Sequence, residues 1–467
     1  MEYINQFNQR FKLLFMKNKI FIFYFFVLLI NALPTHAQII TTIVGDSTSG
    51  YCCDDSLAVE AELNKPPDVA VDVEGNVYIT DGENNRIRKI NTAGIISTIA
   101  GTGAAGYNGD GIAATIAEIN YPSALILDNS GNIYFCDDHN YRVRKINTSG
   151  IISTIAGTGL SGYSGDNGPA TLAQITSSLG IAIDGTGQIY FGDILNNRIR
   201  KISPASGGII STIAGTGIQG YLGDGGPSTL AELYYPTGVT VDGLGNVYFA
   251  EHGNNCIRKI NNSGVINTIA GNGSSGFSGD NGPATLAQLS WPNGLKVDRS
   301  GNIYFADVYN NRVRKIDNSG IITTIAGTGT GSFSGDGGPA IDADLNTPEG
   351  VAINSSVDIF IADAANNRIR FIRNTVFTPS INNSFQKLEV YPNPNKGEFT
   401  VNIISDVDEK VTILINNIIG NVIKEIIANT NAPIDISLKI PCGIYILTEI
   451  TTHGWRSEKI VIMDEVP

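Results

Sequence analysis

A seven-residue phrase occurs six times along this chain at almost constant spacing. It reads NNRIRKI at residues 84–90, and the later copies change at most two letters. Those copies lie at residues 140–146, 196–202, 254–260, 310–316 and 366–372. Successive copies begin 56 residues apart, except for one step of 58. A fixed period of this length is typical of one small structural unit repeated along the chain, so it decides the architecture before any other feature.

Each repeated unit contains four short segments with the composition of β-strands. In the fifth unit they are residues 294–298, 301–307, 311–316 and 321–327. The segments are rich in Val, Ile, Tyr and Phe, and turn-forming Gly, Asn, Asp and Ser separate them. Four antiparallel strands in each of six units predict an all-β fold, a six-bladed β-propeller.

The two ends of the repeat region complement each other. Residues 39–45, IITTIVG, resemble the fourth strand of a unit, but no first three strands precede them. The last unit has three strands, which end at residue 372, and no fourth strand follows. We therefore predict that the N-terminal strand completes the last blade, closes the ring and removes an exposed sheet edge. The alternative, an open six-unit solenoid, would leave both ends incomplete.

Each unit contains a phrase of the form GNVYIADxxNNRIRKI, and these phrases resemble the NHL repeat. The resemblance covers residues 38–376 and implies a six-bladed propeller over that range. It implies no single activity, because NHL propellers serve as binding platforms, receptor ectodomains and a few enzymes.

The N-terminal segment has the features of a signal peptide. Residues 20–33 form one apolar run, preceded by Lys17 and Lys19 and followed by THA at 35–37. A basic start, a short apolar run and a small-residue site predict export and cleavage after Ala37, so that residues 1–37 are removed. The run is short for a membrane span, and we expect no transmembrane segment in the mature chain; a retained anchor is the alternative.

Charge excludes two classes of partner. The formal net charge is −13, and removal of residues 1–37, whose charged residues are four basic and one acidic, makes the chain more acidic. Such a surface repels nucleic acids and anionic membranes, so we expect neither as a partner.

The repeat rhythm stops near residue 376. Residues 377–387 are interpreted as a linker, and the alternation within residues 388–467 predicts a small antiparallel β-sandwich. Three pieces occur there in order: YPNPNKGEFTV, GIY and KIVIM. They resemble the C-terminal sorting domain of type IX secretion cargo in Bacteroidetes-type bacteria. This resemblance implies that the outer-membrane secretion machinery is a partner, and that the protein is secreted or held at the outer cell surface. An ordinary adhesion sandwich is the alternative.

A long connection precedes the first strand of each unit and contains a conspicuous polar motif. In residues 162–174 it reads GYSGDNGPATLAQ. Its Asp recurs as Asp54, Asp110, Asp166, Asp224, Asp280 and Asp336. The spacing matches neither a calcium loop nor a phosphate loop, so we interpret the motif as scaffold, with a cation site as the alternative. The Asp that ends strand two and the Arg of NNR are likewise interpreted as structural. We expect that Asp to accept backbone N–H bonds and that Arg to pair across blades.

Function is expected where the units differ. Six such residues are predicted to lie at the propeller mouth: Tyr121, His139, Tyr235, His252, Trp291 and Tyr309. Flat aromatic rings with few charges suit a glycan or an extracellular protein or peptide, so binding or adhesion is the favoured function. The alternative is that these rings only pack on neighbouring loops.

A second set of differing residues raises an enzymatic alternative. The residue after the proline that opens strand one is read as Asp68 in unit one, Asn293 in unit five and Glu349 in unit six. These oxygen ligands would converge at the channel and hold Ca²⁺ or another hard cation, as in six-bladed lactonases, which predicts a metal-dependent hydrolase or lactonase. We assign no catalytic residue, because there is no Ser elbow and no evident Cys–His pair, and we favour binding over catalysis. The five cysteines signal neither a zinc site nor a disulfide framework, and Cys136 is expected to be a buried strand residue.

Overall fold

Six antiparallel sheets, one for each sequence unit, form the blades of a β-propeller in the computed structural model. The structure describes residues 38–204, 207–374, 385–405, 408, 410–417, 422–451 and 454–463. The predicted signal peptide and most of the predicted linker lie outside these described residues. The all-β fold class is confirmed, with each blade built from the four strands that the repeat predicts.

The strands of each blade follow one another from the centre of the ring outward. The N-terminal strand is β1 (Ile40–Val44). Blade one contains β2 (Asp68–Val71), β3 (Val77–Asp81), β4 (Arg86–Ile90) and β5 (Ile96–Ala100). Blade two contains β6 (Pro122–Leu127), β7 (Ile133–Asp137), β8 (Arg142–Ile146) and β9 (Ile152–Ala156). Blade three contains β10 (Ile181–Ile183), β11 (Ile189–Asp193), β12 (Arg198–Ser203) and β13 (Ile209–Ala214).

The remaining blades keep the same order. Blade four contains β14 (Pro236–Val241), β15 (Val247–Glu251), β16 (Cys256–Ile260) and β17 (Ile266–Ala270). A short strand, β18 (Gly282–Pro283), joins the outer edge of blade five, which contains β19 (Pro292–Val297), β20 (Ile303–Asp307), β21 (Arg312–Ile316) and β22 (Ile321–Ala326). Blade six contains β23 (Pro348–Ile353), β24 (Ile359–Asp363) and β25 (Arg368–Ile372).

Strand β1 completes blade six, as the sequence predicts. It pairs antiparallel with β25, with Ile40 opposite Ile372 and Val44 opposite Ile369. The inner strand β23 also contacts β2 of blade one, so the inner strands follow one another around the ring. The two ends of the repeat region therefore share one blade, which closes the ring.

The second strand of every blade is buried along its whole length. Each strand has a neighbouring blade on both faces, and this explains why these segments are almost continuously apolar rather than alternating. Four of them carry a central phenylalanine with no exposed surface: Phe135, Phe191, Phe249 and Phe305. Cys136 is buried beside one of these rings, as expected.

Short 3₁₀ turns shape the connections. One set follows strand two in five blades: Gly82–Asn84, Asp138–Asn140, Ile194–Asn196, Val308–Asn310 and Ala364–Asn366. The other set lies within the long connections: Ala58–Glu60, Ala114–Ile116, Ala170–Leu172, Ser228–Leu230, Ala284–Leu286 and Ala340–Asp342. A proline stands immediately before four of these six turns, Pro169 among them, whereas Leu57 and Ala113 precede the first two.

The C-terminal residues form a separate antiparallel β-sandwich. One sheet contains β26 (Phe385–Tyr391), β27 (Glu398–Ser405) and β30 (Ile434–Ser437). The other contains β28 (Lys410–Asn417), β29 (Val422–Asn429), β31 (Gly443–Thr451) and β32 (Gly454–Ile462). Val401, Ile413 and Leu447 are fully buried between the two sheets. In the part of the chain that the structure describes, no helix has the length and apolar character needed to cross a bilayer.

Candidate functional site

The long connections and the turns between strands two and three meet on one face of the ring, which we call the long-loop face. In blade one the N–H of Glu83, in such a turn, donates to the carbonyl of Asn64 in the long connection, at 3.2 Å. In blade two the N–H of His139 donates in the same way to Asn120, also at 3.2 Å. The repeated bonds make this face one framework with variable side chains.

A fully buried arginine supports that framework in every blade. In blade three, Arg200 pairs with Asp193 at 3.0 Å and with Asp166 of the long connection at 2.8 Å. The six arginines have no exposed side-chain surface: Arg88, Arg144, Arg200, Arg258, Arg314 and Arg370. Since a buried guanidinium needs charged partners, the recurring loop aspartate serves this pair. The interpretation of the GYSGDNGPATLAQ motif as scaffold is confirmed.

The Arg of NNR has a different role from the predicted one. Instead of pairing across blades, Arg86 remains within its own blade and stacks on the ring of Tyr51, 3.6 Å from the ring centroid. Its guanidinium also donates to the carbonyls of Asn84, at 2.9 Å, and Thr102, at 2.7 Å. The reason is local, because the long connection brings an aromatic ring and two free carbonyls over the start of strand three.

Trp291 lies at the centre of an exposed aromatic group on blades four and five. Its ring stacks on His252, with centroids 4.9 Å apart, and contacts Tyr309, with centroids 4.8 Å apart. Trp291 is 40% exposed and Tyr309 is 55% exposed. We call His252, Trp291 and Tyr309 the aromatic patch.

The backbone holds the Trp291 ring in place. Trp291 has a φ of 56°, a left-handed conformation that costs free energy in a tryptophan. The Asn255 side chain stabilises this conformation by accepting the Trp291 N–H at 3.2 Å. The same device recurs in blade two, where Asn85 holds Tyr121, and in blade four, where Asn197 holds Tyr235. A rigid backbone with an exposed ring is suited to binding, because little backbone freedom is lost when a ligand is bound.

The other predicted ligand-binding residues form two smaller groups. Tyr121 stacks on His139 with centroids 5.0 Å apart, and His139 is more than half exposed. Burial, together with the nearby charge of Glu349, raises the pKa of Tyr121. Tyr235 packs on Tyr234 with centroids 4.6 Å apart, and its carbonyl accepts the N–H of His252. The six predicted residues therefore do not form one continuous rim.

His252 is the buried member of the aromatic patch. Burial lowers its pKa to about 3, so the imidazole is neutral at ordinary pH. Its Nε2 is buried, and within the described part of the chain no hydrogen-bond partner reaches it. A neutral imidazole beneath Trp291 leaves the patch without charge.

The predicted metal residues Asp68, Asn293 and Glu349 all line one cavity in the central channel, together with Lys296. Their oxygens are already partly used. Asp68 accepts the N–H groups of Val69 and Leu125, at 2.9 and 3.0 Å, and Asn293 accepts that of Gly238 at 3.0 Å. Among the described residues there is also no cluster of three or more His, Cys, Asp or Glu side chains arranged to hold a metal ion.

The structure gives Asp68 a different register from the one read in the sequence. Val69 pairs with Ile79 as Val351 pairs with Ile361, so Asp68 corresponds to Gly350. The counterpart of Glu349 in blade one is Pro67. Two consecutive prolines, Pro66 and Pro67, open this strand. Alignment of the second proline with the single proline of unit six therefore displaces Asp68 by one residue.

Ionisation of Glu349 should make the folding stability of the propeller depend on pH. Burial and the nearby charge of Asp68 raise its pKa from 4.5 to about 7, while Lys65 opposes the shift. A raised pKa favours the protonated form, so folding stability is lost as the pH rises from about 4.5 through 7. We expect Glu349→Gln to match the parent protein near pH 4.5 and to exceed it by about 1 to 3 kcal/mol at pH 8.

Thermal unfolding of both proteins across this pH range tests the expectation. Glu74→Gln is the control, because Glu74 is exposed in a turn on the opposite face. A stability difference that is constant with pH would contradict the assignment of the shift to Glu349.

A disulfide between neighbouring residues was not predicted from the sequence. It joins Cys52 and Cys53 in the long connection before blade one. Cys53 has a φ of 69° and stands where the other connections have a glycine with positive φ. Those glycines are Gly109, Gly165, Gly223, Gly279 and Gly335. Alignment of the six motifs places CC against SG, NG or LG, and this was the available signal.

Both parts of the chain match known families. Residues 42–108, 217–278 and 271–332 match the family described as Teneurin NHL domain. Residues 389–463 match the family described as secretion system C-terminal sorting domain.

Curated relatives share the repeat region. Teneurin-4 of Homo sapiens is 28% identical over 386 residues, which cover 70% of this chain and 14% of that protein. Teneurin-1 of Gallus gallus is 30% identical over 381 residues, which cover 72% of this chain and 13% of that protein. NHL repeat-containing protein 2 of Bos taurus is 26% identical over 339 residues, which cover 66% of this chain and 46% of that protein. The chain thus spans about a seventh of the teneurins' length and under half of the bovine protein's.

Two solved structures from Bacteroides thetaiotaomicron have a similar fold. A structural genomics protein of unknown function has a TM-score of 0.55 and 18% identity, over 72% of this chain and 76% of that chain. An auxiliary nutrient binding protein has a TM-score of 0.53 and 15% identity, over the same shares of the two chains. At this identity the likeness shows the fold alone.

Proposed function

We propose that this protein, an NHL-repeat β-propeller that carries a secretion system C-terminal sorting domain, is an extracellular binding protein whose aromatic patch holds a glycan or protein ligand. The sorting domain directs the protein by type IX secretion to the cell surface or the extracellular space. The propeller is the part that meets the ligand there.

The exposed stack of Trp291 on His252 carries this proposal. Three rings from two blades lie together without charge, and two of them remain exposed. Flat aromatic surfaces of this kind stack on sugar rings and on apolar or planar peptide side chains. The fixed backbone of Trp291 reduces the entropy that such an encounter costs.

The printed description of one structural neighbour agrees with a binding role. The protein with the TM-score of 0.53 is described as an auxiliary nutrient binding protein. That protein shares the propeller fold with this chain. From its description we take only the general role of ligand binding, as a proposal for this chain.

Substitution of Trp291 tests the proposal. We expect Trp291→Ala to weaken the binding of ligands found on glycan and peptide arrays by at least about tenfold, the loss typical of a central aromatic contact. The measurement is a titration of the best array ligand against the full chain, with and without EDTA. Leu244→Ala is the matched control, since Leu244 is 77% exposed in a turn on the opposite face. Equal affinity of the Trp291 variant and the parent protein would overturn the proposal.

A metal-dependent hydrolase or lactonase is the second candidate. The observation that favours it is the shared channel cavity of Asp68, Asn293 and Glu349. It requires Ca²⁺ to raise the melting temperature and Asp68→Asn to abolish that rise. Lactone hydrolysis that depends on Ca²⁺ would support it, and an unchanged melting temperature would reject it.

A further inference from the structure

One position of the repeated phrase is different in blade four. In the other five blades an arginine begins strand three and stacks on an aromatic ring of the long connection. The pairs are Arg86 on Tyr51, Arg142 on Tyr107, Arg198 on Tyr163, Arg312 on Phe277 and Arg368 on Phe333, with guanidinium-to-centroid distances of 3.6 to 3.8 Å. Blade four has Cys256 at this position and Tyr221 as the ring.

The surrounding backbone of blade four keeps the shape of its neighbours. The N–H of Asn272 donates to Ala287 at 2.9 Å, as that of Thr328 does to Ala343 in blade five. Gly273 has a φ of 86°, close to the 89° of Gly159 in blade two. The hydroxyl of Tyr221 contacts that of Thr268 at 2.9 Å, as Tyr51 contacts Thr98 and Tyr163 contacts Thr212, although Arg258 lies 5.4 Å from the Tyr221 centroid against 4.8 to 5.0 Å for the matching pairs. The loop is therefore intact without the arginine.

The place of the missing guanidinium is open. In four other blades a Cβ atom on the glycine that matches Gly273 would collide with the arginine, whereas a Cβ atom on Gly273 would have no residue but its two chain neighbours within 4 Å. Two carbonyls accept the guanidinium elsewhere, as those of Asn140 and Thr158 do at 2.9 Å each. Their counterparts in blade four belong to Asn254 and Asn272, and no described residue donates to either one. We call the space bordered by Tyr221, Cys256 and Gly273 the blade-four notch.

The charges around the notch are unbalanced. In blade five, Asp280 and Asp307 face two guanidinium groups, those of Arg312 and Arg314. In blade four, Asp224 and Glu251 face Arg258 alone. The notch is one positive charge short of the arrangement in its neighbours. Tyr221 is 43% exposed, so a ligand has access to the ring.

We propose that the blade-four notch binds the guanidinium group of an arginine presented by an extracellular protein or peptide. The guanidinium stacks on Tyr221, as the five built-in arginines stack on their rings. It donates to the carbonyls of Asn254 and Asn272, as four of those arginines donate to the matching carbonyls in their own blades. A lysine ammonium lacks the planar fork that serves a ring and two carbonyls together, so arginine is selected.

The notch adjoins the aromatic patch, and this inference deepens the proposed function and rests on it. Asn255, next to Cys256 in the chain, holds the backbone of Trp291 through the bond at 3.2 Å. A ligand on the patch therefore has the notch beside it. The notch favours a protein or peptide over a glycan as that ligand.

The direct experiment measures binding of Nα-acetyl-arginine amide to the full chain by ligand-observed NMR. We expect a dissociation constant on the order of 1 mM, with the lysine and citrulline analogues at least about tenfold weaker. Cys256→Arg restores the built-in guanidinium and should abolish binding of the probe. Cys256→Ala leaves the notch open and should retain binding of the probe. Tyr221→Ala should weaken binding of the probe, and this test remains available if Cys256→Arg fails to fold.

The outcomes separate the notch from the patch. Equal binding of the citrulline analogue, or probe binding that survives Cys256→Arg, would overturn the notch. Trp291→Ala should leave binding of the arginine probe unchanged while it weakens binding of the array ligand. If the arginine probe binds and Trp291→Ala does not change binding of the array ligand, the notch is supported as a binding site and the aromatic patch is rejected as one.

Discussion

A protein that begins after Gly45 should lose most of its propeller stability, because the missing segment contains the strand that completes blade six. Ile40, Ile43 and Val44 are buried, and β1 pairs with β25 from Ile369 to Ile372. Loss of three buried aliphatic side chains costs at least about 5 kcal/mol, comparable with the total stability of many domains. We expect calorimetry to show a melting temperature lowered by more than about 10 °C, or no cooperative transition.

Complementation is the control for this deletion. A synthetic peptide of residues 38–46 should bind the shortened protein and recover part of the lost stability, because an extended peptide adds to an exposed sheet edge. The same peptide with Ile40→Asp should fail, since Ile40 has no exposed surface. An unchanged melting temperature in the shortened protein would show that β1 does not close the ring.

The closure of the ring was predictable because it depends only on counting. Six first, second and third strands and six fourth strands balance when residues 39–45 join the last unit, and the pairing of β1 with β25 agrees. The alternation within the C-terminal residues likewise predicted the two-sheet sandwich. Both predictions rest on periodicity, which backbone geometry imposes directly on the sequence.

The side-chain roles were less predictable. Arg88 and Arg86 are two residues apart on one face of β4, yet only Arg88 is fully buried. From alternation alone, both arginines would be expected in solvent. Arg88 is buried because the long connection covers it, and the residues of that connection, such as Asp54, lie more than thirty positions earlier in the chain. The blade-four cysteine was visible in NNCIRKI, but the space it leaves became evident only when the stacked position of the other five arginines was known.

Arg314→Met should be strongly destabilising, because Arg314 is one of the six buried arginines that support the long-loop face. The Arg314 side chain has no exposed surface and pairs with Asp280 at 2.6 Å and Asp307 at 3.3 Å. Removal of the guanidinium leaves the buried carboxylate of Asp307 without compensation and the partly exposed Asp280 without its partner, which costs about 3 to 5 kcal/mol. We expect the melting temperature to fall by about 5 to 10 °C in calorimetry. Arg314→Lys should rescue little, because an ammonium cannot reach both carboxylates and the carbonyls of Ser278 and Gln288 together.

Arg312→Met is the matched control, two residues away on the same strand. Arg312 stacks on Phe277 at the loop surface, 3.7 Å from the ring centroid, so its loss should cost only about 1 kcal/mol. Combining Arg314→Met with Asp307→Leu removes a charge from each side of the pair, and the double variant should be less destabilised than the sum of the single ones. Equal losses for Arg314→Met and Arg312→Met would contradict the supporting role of the buried arginine. If that role holds, the six buried pairs keep the long-loop face rigid, and blade four keeps its frame even though its exposed arginine is replaced by Cys256.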